Sequence, residues 1–147
     1  MIVDTDMPVP RLASRVRVDF YDAKGTWYES RDLARPDPRD FPVSFGVWSP
    51  DENASRVVFV RVRLYAEGKV RDYRGEHPDD PAPPDAPLPR LVKDGRDVTP
   101  VTEPDPALAI DRLVEVHLVP GQRGSVRLTL RGACVATPAR LTDESCV

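Results

Sequence analysis

Residues 56–66, RVVFVRVRLYA, alternate apolar with polar or aromatic side chains. Successive side chains of a β-strand point to opposite faces, so this stretch predicts a strand with one apolar face. The apolar residues and the residues of the opposite face are Val58, Val60, Val62 and Leu64 against Arg61, Arg63 and Tyr65. A strand with one buried and one solvated face is typical of an antiparallel sheet.

The same alternation recurs along the chain, and no segment of eleven or more residues shows a convincing 3.6-residue repeat. The further strands predicted by alternation are residues 15–21, 41–48, 113–119 and 126–131. Shorter strands are predicted at residues 26–29 and 69–73, with an edge strand at residues 2–4.

Turn residues separate these segments. Ala23-Lys24-Gly25 predicts a hairpin, and the run 120–124, PGQRG, predicts a tight hairpin between the last two long strands. Seven or eight strands over residues 1–147 favour a single all-β domain, an antiparallel β-sandwich of the immunoglobulin or transthyretin kind. A closed barrel is the alternative.

Composition limits the class of partner. The net charge is −3, which argues against nucleic acid as a partner. No apolar run approaches the roughly 20 residues of a membrane span, and the N-terminus has no signal-like apolar region. We therefore expect neither a nucleic-acid interface nor a membrane span, with a lipid anchor left open for a longer precursor.

Proline is concentrated in one segment. Of the 17 prolines, nine lie in residues 75–107, which predicts a long proline-rich insertion loop with polyproline II stretches. Within it, the run 93–96, KDGR, predicts the turn of a small hairpin between residues 90–92 and 98–101. We interpret the insertion as a crossover between sheets; a ligand segment for a partner is the alternative.

Two cysteines, Cys134 and Cys146, enclose a short loop, residues 134–146. Their spacing is not that of a redox Cys-x-x-Cys motif, and no histidine lies near them for a zinc site. We predict a structural disulfide and hence an extracytoplasmic location, with two free thiols as the alternative.

Alternation places six arginines opposite the predicted core: Arg15, Arg17, Arg61, Arg63, Arg127 and Arg131. If their strands share a sheet, they form a basic stripe for acidic or sulfated glycans or phosphate-rich surfaces, with Arg61, Arg63, Arg127 and Arg131 as its ligand-binding residues. The favoured alternative is that cross-strand carboxylates such as Asp19 and Glu115 neutralise them.

Three aromatic residues, Trp27, Tyr28 and Trp48, are candidates for exposure. Trp48 is the candidate ligand-binding aromatic, which either stacks on a sugar or caps the core, and capping is the favoured interpretation.

Catalytic and metal signatures are weak. His117 is expected as an exposed strand residue, and His77 lies in the acidic run GEHPDD, where a metal site or the base of a small hydrolase is an alternative. Calcium ligands are available at three acidic runs, residues 4–6, 51–53 and 79–80, but none has EF-hand spacing. We predict no catalytic residue, no metal and no cofactor.

The runs VDTDMPVP, RVRVDFYDAKGTWYESRDLARPDPRDFPVSFGVW and VRVRLYAEGKVRDYRGE resemble the β-rich, immunoglobulin-like domain of secreted myxobacterial lipoproteins. The C-terminal run from LVKDGRDVTP to ESCV is similar too, so the resemblance covers nearly the whole chain. It implies an envelope-exported module that follows a lipoprotein leader and in some proteins precedes a catalytic domain of the formylglycine-generating type. The chain lacks the lipobox cysteine that marks export, and the domain has no activity whose residues carry over.

We therefore predict a non-catalytic, extracytoplasmic binding or spacer module of a cell-envelope or secreted protein, with a protein or glycan at the cell surface as partner. A carbohydrate- or calcium-dependent adhesion module is the alternative, and a small hydrolase is a third.

Overall fold

The computed structural model of the chain describes residues 1–66, 77–78, 91–97, 109–137, 139 and 146. These residues are rich in strand and contain no α-helix, which confirms the all-β class. Their ten strands are β1 (Ile2–Thr5), β2 (Arg15–Tyr21), β3 (Trp27–Ala34), β4 (Val43–Ser44), β5 (Arg56–Tyr65), β6 (His77–Pro78), β7 (Leu91–Lys93), β8 (Arg96–Asp97), β9 (Ile110–Leu118) and β10 (Arg127–Leu130). The same residues include two short 3-10 helices, Pro38–Asp40 and Gly132–Cys134.

The strand that carries the alternating motif is β5, and it lies inside a four-stranded antiparallel sheet of order β3-β2-β5-β9. Val62 on β5 lies opposite Val18 on β2 and Arg112 on β9. The predicted bounds of β2 are confirmed and β5 ends one residue early, whereas β3 is longer than predicted and β9 begins three residues earlier.

A three-stranded sheet of order β10-β1-β4 lies beside it. The predicted edge strand β1 is central: Val3 lies opposite Leu128 on β10 and opposite Val43 on β4. The pairing of β1 with β10 is parallel, so the expectation of uniformly antiparallel pairing is wrong at this ladder.

The two predicted hairpins have different outcomes. The turn between β2 and β3 forms where expected, with the Asp22 carboxylate accepting from the N–H groups of Lys24 and Thr26. After β9, Gln122 N–H donates to the Val119 carbonyl, and Gly121 has φ 71°. This turn does not close a hairpin, because the ladder hydrogen bonds of β10 go to β1 and those of β9 go to β5. The chain passes instead from one sheet to the other.

The core draws on both sheets. The inward-facing residues predicted for β5 are buried in it, together with residues of β1, β4 and β10. Its buried members are Val3, Ala13, Val16, Val18, Phe20, Val43, Val58, Val60, Val62, Leu64, Ile110, Leu128, Leu130 and Cys134.

A small sheet of order β6-β7-β8 is described within the predicted insertion, and β6 contacts β3. Asp94 and Gly95 both have positive φ, 50° and 71°, as a two-residue type I′ hairpin turn requires. The predicted turn at residues 93–96 is confirmed. The rest of residues 75–107, including 98–101, and the strand predicted at residues 69–73 lie outside the described residues.

Candidate functional site

The face of the four-stranded sheet opposite the core carries a buried network of charges centred on Asp19, whose side chain is 1% exposed. Its carboxylate accepts from Arg63 Nη2, from Arg17 Nε at 2.9 Å and from Ser30 Oγ at 2.5 Å. Trp27 Nε1 donates to the same Ser30 hydroxyl at 2.9 Å. One carboxylate therefore joins β2, β3 and β5 through side chains.

A second pair joins β5 to β9. Arg61 Nε donates to Asp111 Oδ1 at 2.8 Å, and its Nη2 donates to Asp111 Oδ2, so the contact is bidentate. The backbone N–H of Ala139 donates to Asp111 Oδ2 at 3.0 Å, and the Asp111 side chain is fully buried. Ala139 thus lies against this face of the sheet.

The electrostatics of the network favour the charged forms. Burial raises the pKa of Asp19, but Arg63, Arg17 and the hydrogen bond from Ser30 outweigh it, so the pKa lies below the ordinary value. Burial opposes the charge of Arg63, but Asp19 reverses this and raises its pKa. Burial also raises the pKa of Tyr65.

These contacts show what the arginines of the predicted basic stripe bind. Arg61 and Arg63 bind carboxylates, as the favoured alternative expected, and Asp19 is one of the partners named for it. Glu115 is not: it contacts the exposed His117, with Nε2 2.5 Å from Oε1. Asp111 lies two residues before the predicted start of its strand, so the alternating pattern did not reveal it.

The other two predicted ligand-binding arginines lie elsewhere. Arg127 begins β10 and Arg131 follows it, and both are exposed on the three-stranded sheet. The condition for one stripe, strands in one sheet, is not met, so the four arginines do not come together. Arg131 is instead close enough to Arg112 to lower its pKa, after burial, which has the larger effect.

The three aromatic candidates differ in exposure. Trp27 is buried, contrary to expectation, whereas Tyr28 is 41% exposed with the Arg56 guanidinium 5.9 Å from its ring centre. Trp48 is 77% exposed, so the expectation that it caps the core is wrong. A Cβ built on Gly46 would be 3.6 Å from the nearest indole atom, which shows that the ring lies over Gly46.

Trp48 follows the outermost strand of its sheet. The predicted strand 41–48 is reduced to β4, yet its alternation persists, since Phe45 and Val47 are half-buried while Gly46 and Trp48 are exposed. Phe45 and Met1 exchange two hydrogen bonds. The Phe45 N–H donates to the Met1 carbonyl at 3.1 Å, and the Met1 ammonium donates to the Phe45 carbonyl at 2.7 Å. In an antiparallel pair, the backbone N–H and C=O groups of the residues just before and after such a hydrogen-bonded residue point away from the partner strand.

The backbone groups of Ser44, which lies between the paired residues Val43 and Phe45, accordingly point to the free side of β4, where no other described strand pairs. The alternating burial of residues 45–48 is that of an extended backbone, so we expect the groups of Gly46 to point the same way. We call residues 44–48 the Trp48 edge. The alternating pattern predicted its two faces; only the strand order shows that it is an edge.

The cysteine prediction is confirmed in the structure, where Cys134 and Cys146 form a disulfide with Cα atoms 5.6 Å apart. Cys134 is fully buried at the end of the second 3-10 helix and belongs to the core cluster.

The carboxylates considered as calcium ligands have other roles where they are described. Asp6 Oδ1 accepts from Gly132 N–H at 2.7 Å, and Asp51 Oδ1 accepts from Asn53 N–H at 2.9 Å. In the described part of the chain, no three His, Cys, Asp or Glu side chains are grouped to hold a metal ion. The backbone of His77 pairs with Val92 rather than lying in a loop, and its acidic neighbours lie outside the described residues.

Comparison with known proteins returns no family model, no curated protein and no solved structure that matches this chain. Among the residues for which the structure gives a position, none belongs to a helix long and apolar enough to cross a membrane.

Proposed function

We propose that this chain is a non-catalytic binding module of an exported protein, built as a β-sandwich of the immunoglobulin kind. The sandwich is supported by the shared core, to which the four-stranded sheet contributes Val60 and Val62 and the three-stranded sheet contributes Val3 and Leu130. Side chains from two sheets that interdigitate in one core are typical of that architecture.

Export is supported by the disulfide between Cys134 and Cys146, since disulfides persist mainly in oxidising compartments. The resemblance to the domain of secreted lipoproteins points the same way.

The proposed binding function rests on the exposure of Trp48. Burying a tryptophan stabilises a fold more than burying most other side chains, and this one is left 77% exposed beside a free strand edge. Arg17, Arg61 and Arg63, on the face of the four-stranded sheet opposite the core, are paired with Asp19 and Asp111. We therefore place the contact surface at the Trp48 edge and not on these arginines. A spacer role without any ligand is the competing proposal.

A sugar is the second candidate ligand. The indole lies over Gly46 with its other face towards solvent, which is the arrangement needed to stack on an apolar face of a sugar ring. For calcium-dependent adhesion, a thermal shift of the disulfide-bonded protein with added calcium is the matching measurement.

The experiment tests peptides and glycans as ligands of the disulfide-bonded protein. A displayed library of random peptides and a glycan array are each screened, and affinities are measured for the wild type, Trp48→Ala and Leu12→Ala. Leu12 is the matched control, because it is also apolar and 51% exposed but lies outside the Trp48 edge. We expect a ligand whose affinity falls at least about tenfold in Trp48→Ala and stays unchanged in Leu12→Ala. Absence of any Trp48-dependent ligand in both screens would overturn the binding function in favour of the spacer.

A further inference from the structure

We propose that the Trp48 edge binds an extended, basic peptide segment of a partner protein, which adds to the three-stranded sheet as a further strand next to β4. This inference rests on the proposed binding function and names the chemistry of the partner. Strand addition to an exposed sheet edge is a recurring mode of peptide recognition, with main-chain hydrogen bonds supplying affinity and side chains supplying specificity.

The backbone of the edge is oriented for this pairing. Because Phe45 directs its N–H and carbonyl groups to Met1, Ser44 and Gly46 direct theirs to the other side. Ser44 and Gly46 are exposed, and neither has bulk beyond a hydroxymethyl group or a hydrogen atom. A second backbone can therefore approach to the usual strand spacing of about 4.8 Å without displacing a large side chain.

Charge selects the peptide. Residues 40–55 contain three carboxylates, Asp40, Asp51 and Glu52, and no lysine or arginine. The adjacent pair Asp37 and Arg39 neutralise each other through a bidentate contact at 3.0 Å and 2.5 Å, so Arg39 does not offset these carboxylates. The Met1 ammonium, which donates to the Phe45 carbonyl, offsets one of these three carboxylates, and Arg56, the next basic residue, lies over the Tyr28 ring. The stretch keeps a negative balance, so an extended segment with lysine or arginine side chains is complementary to it.

Trp48 adds a contact for the same chemistry. A lysine or arginine over the face of an exposed indole is attracted by the ring, and tryptophan is the most favourable aromatic residue for this interaction. The solvent-facing side of the Trp48 ring offers that surface next to the free backbone groups.

The test measures fluorescence anisotropy of labelled peptides with the disulfide-bonded protein. The basic probe is acetyl-KVKVKVK-amide, and the acidic control is the same peptide with glutamate for lysine. A third peptide keeps the lysines but is methylated at every backbone nitrogen, so it retains its charge and cannot donate hydrogen bonds from its backbone. We expect the basic probe to bind at least about tenfold more tightly than either control.

Protein variants locate the contact. Gly46→Pro removes the N–H that points to the free side and leaves the Met1–Phe45 bonds in place, whereas Gly46→Ala keeps that N–H. The new Cβ of Gly46→Ala would be 3.6 Å from the indole, an ordinary contact. We expect Gly46→Pro and Trp48→Ala to weaken binding of the basic probe at least about tenfold, and Gly46→Ala and Leu12→Ala to leave it within about twofold.

Removing charge gives an independent check. The double variant Asp51→Asn, Glu52→Gln should weaken the basic probe about threefold and reduce its dependence on salt. The matched control is Glu115→Gln, which removes an exposed carboxylate of β9 and should have no effect.

Several results would overturn the proposal: equal binding of the basic and acidic probes, equal binding of the methylated peptide, or equal effects of Gly46→Pro and Gly46→Ala. A dimer seen by light scattering without peptide, and lost in Gly46→Pro, would assign the edge to a second copy of the chain and would also overturn it. If the library or the array yields a Trp48-dependent ligand that is not basic, only this inference fails and the binding function stands.

Discussion

Replacing Asp19 with asparagine tests whether the buried charge network is held together by its ion pairs. The Asp19 carboxylate is 1% exposed and accepts from Arg63, Arg17 and Ser30. Asparagine keeps the size of the side chain but leaves the arginines without this charge. Arg63 is almost as buried as Asp19, so its guanidinium cannot recover hydration in place of the lost partner.

Removing one partner of a buried pair destabilises a protein by about 3–5 kcal/mol, because the other charge stays buried without compensation. Total stability of a domain is about 5–15 kcal/mol, so Asp19→Asn should remove a large part of it. Replacing both members with neutral groups of similar volume is often neutral, and the variant Asp19→Asn, Arg63→Met should therefore be more stable than the two single losses predict.

The assay is urea unfolding of the wild type, Asp19→Asn, Arg63→Met and the double variant, all with the disulfide intact. Unfolding is followed by circular dichroism and by tryptophan emission. Trp27 reports the network directly, because its indole N–H donates to the Ser30 hydroxyl that also donates to Asp19. We expect a coupling free energy of at least about 1.5 kcal/mol between positions 19 and 63. A loss below about 1 kcal/mol for Asp19→Asn, or strict additivity of the two changes, would refute the reasoning.

Three further outcomes follow from the same structure. The pKa of Asp19 lies below its ordinary value, so the stability it contributes is present above that value and is lost as pH falls through the lower, folded-state pKa. Urea unfolding between about pH 4 and pH 2 should thus show a larger loss in the wild type than in Asp19→Asn; parallel curves would contradict this. Reducing the disulfide, which spans 12 residue positions, should cost about 3 kcal/mol in the chain-entropy model, and mass spectrometry without reductant should find no alkylatable Cys134 or Cys146. Gly121→Ala should destabilise by about 1 kcal/mol because φ there is 71°, whereas Gly124→Ala, where φ is not positive and nothing lies within 4 Å of a new Cβ, should not; equal unfolding midpoints would count against the turn.

Local pattern was sufficient for individual strands. Alternation over residues 15–21 and 56–66 predicted β2 and β5 closely, because a strand that buries one face needs a period of two wherever it lies. The turns at residues 23–25 and 93–96 were also predicted, since glycine marks positions where φ is positive.

Pairing was less predictable, because alternation carries no information on which strand lies next to which. PGQRG was interpreted as a hairpin, but the residues after it pair in parallel with β1 at the start of the chain. Likewise the burial of residues 41–48 alternates as predicted, but only residues 43–45 pair with the neighbouring strand, β4 with β1 and Phe45 with Met1.

The same division between local pattern and tertiary structure applies to the paired arginines and to Trp48. The sequence by itself determined that Arg61 and Arg63 lie opposite the core and that Cys134 and Cys146 are close enough along the chain to bridge. Only the tertiary structure decided that the arginines are covered and bound to Asp111 and Asp19, while Trp48 stays exposed. The physical reason is that alternation assigns a side chain to a face of its strand, whereas burial of that face depends on residues distant in sequence, here Ala139, whose N–H donates to the Asp111 carboxylate.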